Sequence, residues 1–144
     1  MTPSEVPSAA ERYRRFLLGA AAFVFGVTAV EMVLISHFET WIQWIPTVAC
    51  GLGLLAVGLI RFRPAMASTA RVLLALIAIS ALVGNYQHVA ANLALELEVR
   101  PGSTLGDVWL DAIQGGVPVL ASGILFLASA LAWGATLWRD DIAR

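Results

Sequence analysis

Lysine is absent from this chain, and cysteine occurs once. All nine basic residues are arginine; set against ten acidic residues they leave a formal net charge of −1. No overall basic field therefore points to nucleic acid. The single thiol, Cys50, excludes an intramolecular disulfide and any multi-cysteine metal framework. It lies inside an apolar run and reads as a small packing residue. Charge of either sign is scarce, at 13% of residues, against about 25% in ordinary soluble domains. No nucleophile elbow, phosphate loop or Ser/His/Asp arrangement is present, so no motif calls for an enzyme. No long-period repeat marks a solenoid.

What the chain has in excess is apolar surface. Its 144 residues are 59% hydrophobic, with a mean hydropathy of +0.80. Soluble domains are about 45–50% apolar, so the surplus must be buried in lipid or in a partner. The length is that of one domain, spanning residues 1–144.

Residues 1–11 are polar, contain Pro3 and Pro7, and read as a disordered tail. The apolar run that follows exceeds the roughly 7–15 residues of a signal-peptide core, so it reads as a retained span. Four spans are expected, at about 16–36, 41–60, 70–97 and 117–138. Span two carries Gln43 and Pro46 in its first turns, where freed backbone groups cost least, and Gly51, Gly53 and Gly58 for close helix contact. Arg61, Arg63 and Pro64 close it. Pro101-Gly102 stops span three.

Between spans three and four, Leu105, Val108, Trp109, Ala112 and Ile113 follow the periodicity of an amphipathic helix. Ser103 or Thr104 serves as its cap, Asp107 suits its first turn, and Gly115-Gly116 ends it. The expected fold is all-α: a four-helix transmembrane bundle running up-down-up-down, with a short surface helix at about 104–114 on its outer face.

Arginine placement orients it. Arg12, Arg14, Arg15, Arg61, Arg63, Arg71, Arg139 and Arg144 fall on one side, and Arg100 alone on the other. This asymmetry places both termini in the cytoplasm and the protein in the inner (plasma) membrane. Trp41, Trp44 and Trp109 fit an outer aromatic belt, and Trp133 and Trp138 an inner one.

Polar side chains interrupt span three between Asn85 and Glu96. With Asn85 at 0°, His88 falls at roughly −60°, Asn92 at −20° and Glu96 at +20°. The four share one sector of the helix, with Ala81 in the same sector and Val89 at its border, while Glu98 points nearly the opposite way. On span one, Glu31 lies at the depth of His88. A lone carboxylate facing lipid is disfavoured, which predicts that Glu31 turns inward to meet His88 or Asn85. His37 and Glu39 stand at the outer end of the same span. The inner half of the bundle is almost purely apolar, which argues against a channel.

Two imidazoles with nearby carboxylates are suitable donors for a transition metal ion such as Zn, Fe or Cu. The leading expectation is thus a small membrane protein whose outward-facing cluster binds a metal ion or small polar ligand. Its candidate ligands are Glu31, His37, His88, Asn92 and Glu96, with Glu31 and His88 primary, His37 and Glu96 at the mouth, and Asn92 orienting. The alternative, from another class, is a non-catalytic interaction or assembly subunit in a membrane complex, its polar cluster serving only to lock helix packing. A small-solute transporter and a b-type haem protein bound through His37 and His88 are further alternatives. The expected partners are the lipid bilayer and a membrane protein or second copy. Small four-span cytochromes, di-iron bundles and small exporters share this outline, but the residues that would carry such a resemblance are not present: there is no His-Glu-x-x-His and no di-iron Glu-x-x-His.

Overall fold

A computed structural model describes residues 7–115 and 123–137. Residues 1–6 of the expected tail, Gly116 of the expected helix stop, the start of span four at 117–122, and the end of the chain from Trp138 lie outside the described residues.

The described residues form five α-helices and no strand: α1 (Ala9–Leu34), α2 (Trp44–Phe62), α3 (Ala67–Val99), α4 (Leu105–Ile113) and α5 (Gly123–Leu137). Three helical segments, Ala9–Leu34, Trp41–Phe62 and Pro64–Val99, are long and apolar enough to cross a membrane, and α5 is a shorter apolar helix. These are the marks of an integral membrane protein.

Local chemistry sets the boundaries. The Ser8 hydroxyl accepts a bond from the Glu11 amide at 3.2 Å and caps α1. The helix therefore begins at Ala9, inside the stretch 1–11 that reads as a tail from composition. Glu11 then binds Arg15 at 2.8 Å across one turn. At the far end the His37 amide reaches back to the Met32 carbonyl at 3.0 Å, and Ser36 adopts a left-handed φ of 53°. That is a Schellman-type closure with serine where glycine is usual.

A 3-10 turn at Trp41–Gln43 leads into α2. The Gln43 side chain accepts from the Thr40 amide at 3.0 Å, so Gln43 is used in capping rather than in a site. Arg63 ends α2, and Pro64 opens a second 3-10 turn, Pro64–Met66, that runs straight into α3. The link expected before residue 70 is therefore helical. Proline is tolerated there because a first-turn amide has no helical partner in any case.

Helix α3 has 33 residues, about 50 Å at the usual rise, against a hydrocarbon core of about 30 Å. The helix is thus longer than that core is thick, and its far end carries α4. After Arg100 the chain reverses through Gly102, at φ 91°, a value that favours glycine. Thr104 and Asp107 form a capping box for α4, the Asp107 carboxylate accepting from the Thr104 amide at 2.8 Å and hydroxyl at 2.7 Å.

Helix α1 packs on α2 and α5, α3 packs on the same two helices, and α4 rests on α3. The described helices thus make the pairings of a four-helix bundle with one short helix laid on its end. The core is built from Leu18, Phe25, Ala56, Leu74, Ile77 and Leu125 with many alanines between them. Small residues let the backbones approach where lipid gives no hydrophobic drive to associate. One such close approach is at Gly53: a methyl group there would lie 2.5 Å from the Phe25 ring.

Candidate functional site: the polar stripe of α3 and its meeting with α4

The four stripe residues share the inward side of α3. Asn92 is fully buried, at 1% exposure, while Asn85, His88 and Glu96 are half-buried and Glu98 is exposed. Ala81 is buried in line with them. The angular reading of the helix thus agrees with the face it presents.

Asn92 is the best defined of them. Its Nδ2 donates to the Ala112 carbonyl of α4 at 2.9 Å, inside the protein. Its amide also presses on Gly115: a methyl group there would lie 2.9 Å from Asn92 Cγ. Any larger residue at 115 would push the amide away. Ala112 itself is fully buried, as is Val108, so the apolar side of α4 closes on α3 around this hydrogen bond.

One turn further out, Glu96 and Asp111 both bind Arg100, at 3.1 Å and 2.6 Å. Arg100 thus bridges the end of α3 and the solvent side of α4. Asp111, by hydrogen bond and charge, and Glu96, by charge, push the guanidinium further above its usual range. The hydrogen bonds from Thr104 hold the Asp107 carboxyl below the usual carboxylate range.

Deeper in the bundle, Asn85 faces the start of α5, its Nδ2 3.5 Å from where a methyl on Gly123 would lie. The Nδ1 of His88 is buried without a hydrogen-bond partner among the described residues. His37 is half-buried at the closing turn of α1.

Glu31 does not join them. It is exposed on α1, whose buried face runs through Leu18, Ala21, Phe25 and Thr28. At a spacing of three and four residues the next inward position is Met32, so Glu31 falls to one side of the stripe. Glu39 is exposed as well. The structure therefore commits Asn92 to α4, ties Glu96 to Arg100, and leaves Glu31 outside the cluster. Among the described residues no group of three or more His, Cys, Asp or Glu converges.

Sequence reasoning missed the partners of Asn92. An amide at a buried register needs a hydrogen bond, but its acceptor is a main-chain carbonyl, which no residue identity announces. Gly115 reads in sequence as a helix stop; in three dimensions it is also the seat for the amide. Comparison with known protein families, curated proteins and solved structures finds no match for this chain.

Proposed function

We propose that this protein is a non-catalytic membrane bundle, an interaction or assembly subunit, in which the polar end of α3 holds α4 in place for contact with a partner. The observation that carries this reading is the buried hydrogen bond from Asn92 to Ala112 at 2.9 Å. A buried donor already satisfied by the chain's own backbone is a lock, since moving it to a ligand would leave the Ala112 carbonyl only the longer bond from the Gly115 amide at 3.4 Å. Outside the lock, α4 turns Leu105, Trp109 and Leu110 away from the bundle, an apolar face for a membrane partner or a second copy. In this reading the bundle runs up-down-up-down in the inner membrane with both termini cytoplasmic, as the arginine asymmetry favours, and α4 lies on the outer face.

Hydrogen exchange on the protein in nanodiscs tests the lock. Asn92→Leu is expected to raise exchange of the amides of 105–113 by about 3- to 30-fold, the equivalent of a membrane-protein hydrogen bond. The rest of the bundle is expected to stay protected. Unchanged protection of α4 sinks the lock. A photo-crosslinker at Leu110 tests assembly: adducts to a membrane protein or a second copy support it, and adducts to lipid alone count against it.

A second reading rests on its own observation, the enclosed Nδ1 of His88, which has no hydrogen-bond partner among the described residues, with His37 half-buried at the end of α1. In it the two imidazoles hold a transition metal ion or a b-type haem. Stoichiometric metal or a Soret band in purified protein, lost in His88→Ala, supports it. Metal-free, colourless protein after both aerobic and anaerobic preparation removes it.

A further inference from the structure

The side of α1 turned away from the bundle is apolar along its length, with Phe16, Phe23, Val27, Val30 and Leu34 exposed. Their spacing is that of one helix face. Glu31 is exposed at the border of that face. It is the one charged residue between Phe16 and Ile35, a stretch that spans about 30 Å as a helix, the thickness of the hydrocarbon core. Glu31 lies about 6 Å inside the end of that stretch at the usual rise. Apolar surface continues past it, since Val33, Leu34 and Ile35 are 60%, 77% and 57% exposed. The carboxyl therefore stands within the apolar surface rather than at its rim.

Nothing in the chain compensates it. Among the described residues the Glu31 carboxylate has no hydrogen-bond or ion-pair partner. Ionisable side chains at membrane depth almost always face a bundle interior and are paired there. Charged or neutral, a carboxyl left without a partner in hydrocarbon is costly. The missing partner must then come from another chain.

A second copy is poorly suited to supply it. Two copies meeting on this face would be related by a twofold axis, which draws the two Glu31 carboxylates together rather than to a cation. Lysine is absent from the sequence. Arg14 bonds the Ile60 carbonyl at 2.8 Å, which sets it, with Arg12 and Arg15, at the opposite end of α1 from Glu31. Arg100, at the α4 end, already holds Glu96 and Asp111.

We propose that Glu31 is the docking point for a transmembrane helix of a different protein, one that carries a lysine or arginine at the matching depth. The proposal rests on the reading of this protein as an assembly subunit and names the chemistry of its partner. Between two helices in lipid, carboxylate and cation satisfy each other, and neither is left facing hydrocarbon. Val27 and Val30 beside Glu31 are stiff side chains that lose little freedom on packing.

The probe is a synthetic transmembrane helix of leucine and alanine with a lysine one turn inside each end; its control has leucine there. Energy transfer from donor-labelled full-length protein to the acceptor-labelled helix in phosphatidylcholine vesicles measures association. The lysine helix is expected to bind about tenfold more tightly than the control, the scale of an interhelical hydrogen bond. Glu31→Leu is expected to erase that difference. Glu39→Gln removes an equal charge from the exposed turn beyond α1 and is expected to leave it intact. In native membranes a photo-crosslinker at Val27 is expected to mark a different protein beside a lysine or arginine of one of its transmembrane helices, with the adduct lost in Glu31→Leu and kept in Glu31→Asp. Equal binding of the two helices, an equal loss in Glu39→Gln, or Val27 adducts to lipid or a second copy alone overturns the proposal. Protein adducts at Leu110 with none at Val27 remove this docking point and leave assembly through α4 standing; the reverse keeps the docking point and removes the α4 face.

Discussion

Among the described residues, Phe25 and Asn92 press hard against a glycine of another segment, and they do so for different reasons. Mid-bundle, the ring of Phe25 on α1 lies on Gly53 of α2, with a missing methyl 2.5 Å away. At the α4 end, the amide of Asn92 lies on Gly115, with a missing methyl 2.9 Å away. The first contact is one of shape alone. Its surroundings, Ala21, Ala49 and Ala56, are apolar, and what is gained is close packing that lipid does not supply equally well. The second adds direction, because the amide must also reach the Ala112 carbonyl. Shape contacts brace the helices that cross the apolar layer; a directional contact fixes the register of a short helix laid across their end.

The largest expected effect comes from filling the first seat. Gly53→Leu drives a side chain into the Phe25 ring and should destabilise the bundle by about 1–3 kcal/mol, as overpacking does. Thermal unfolding in detergent measures it, and Phe25→Ala should restore part of the loss if shape is all that matters. Filling the second seat should act locally: Gly115→Val displaces Asn92 and should loosen α4 by about 0.6–2 kcal/mol, while the unfolding midpoint of the spans barely moves. An equal fall in both would erase the distinction between the two seats.

A smaller effect follows from pH. The folded-state pKa of Asp107 is depressed by its bonds from Thr104, so its capping contribution is fully present above the ordinary aspartate range. It is lost as pH falls through the lowered folded value. Protection of the amides of 105–113 should accordingly be flat from neutral pH down to the ordinary range and decline below it. Asp107→Asn should abolish that dependence, with exchange rates corrected for their intrinsic pH dependence. The smallest effect is expected at Glu31, which touches neither seat. Glu31→Gln should alter stability by no more than about 0.5 kcal/mol, and a loss comparable to that of Gly115→Val would mean that it has an inward partner after all.

The inward turn of Arg14 was within reach of the sequence in one respect. Arg14 stands four residues before Leu18, in register with the buried face of α1 through Ala21 and Phe25. A charge in line with a buried stripe asks for a partner, whereas counting arginines by side treats all of them as topology markers. Glu31 shows the reverse error. Its depth was readable, but its azimuth depended on whether Glu31 or Met32 continued the inward face after Thr28. One step of helix phase decided that, and phase is set by what α1 packs against.

The sequence by itself determined the all-helical class, the three long apolar crossings, the short capped helix near 105–113, and the shared face of Asn85, His88, Asn92 and Glu96. These follow from hydropathy, helical period and cap chemistry, which act over a few neighbouring residues. Only the tertiary structure decided that Asn92 is satisfied by Ala112, that Glu96 and Asp111 share Arg100, that Glu31 lies outside, and that Arg14 reaches the Ile60 carbonyl. Each of those joins residues distant in the chain or depends on the rotation of one helix against another, and main-chain acceptors leave no mark in residue identity.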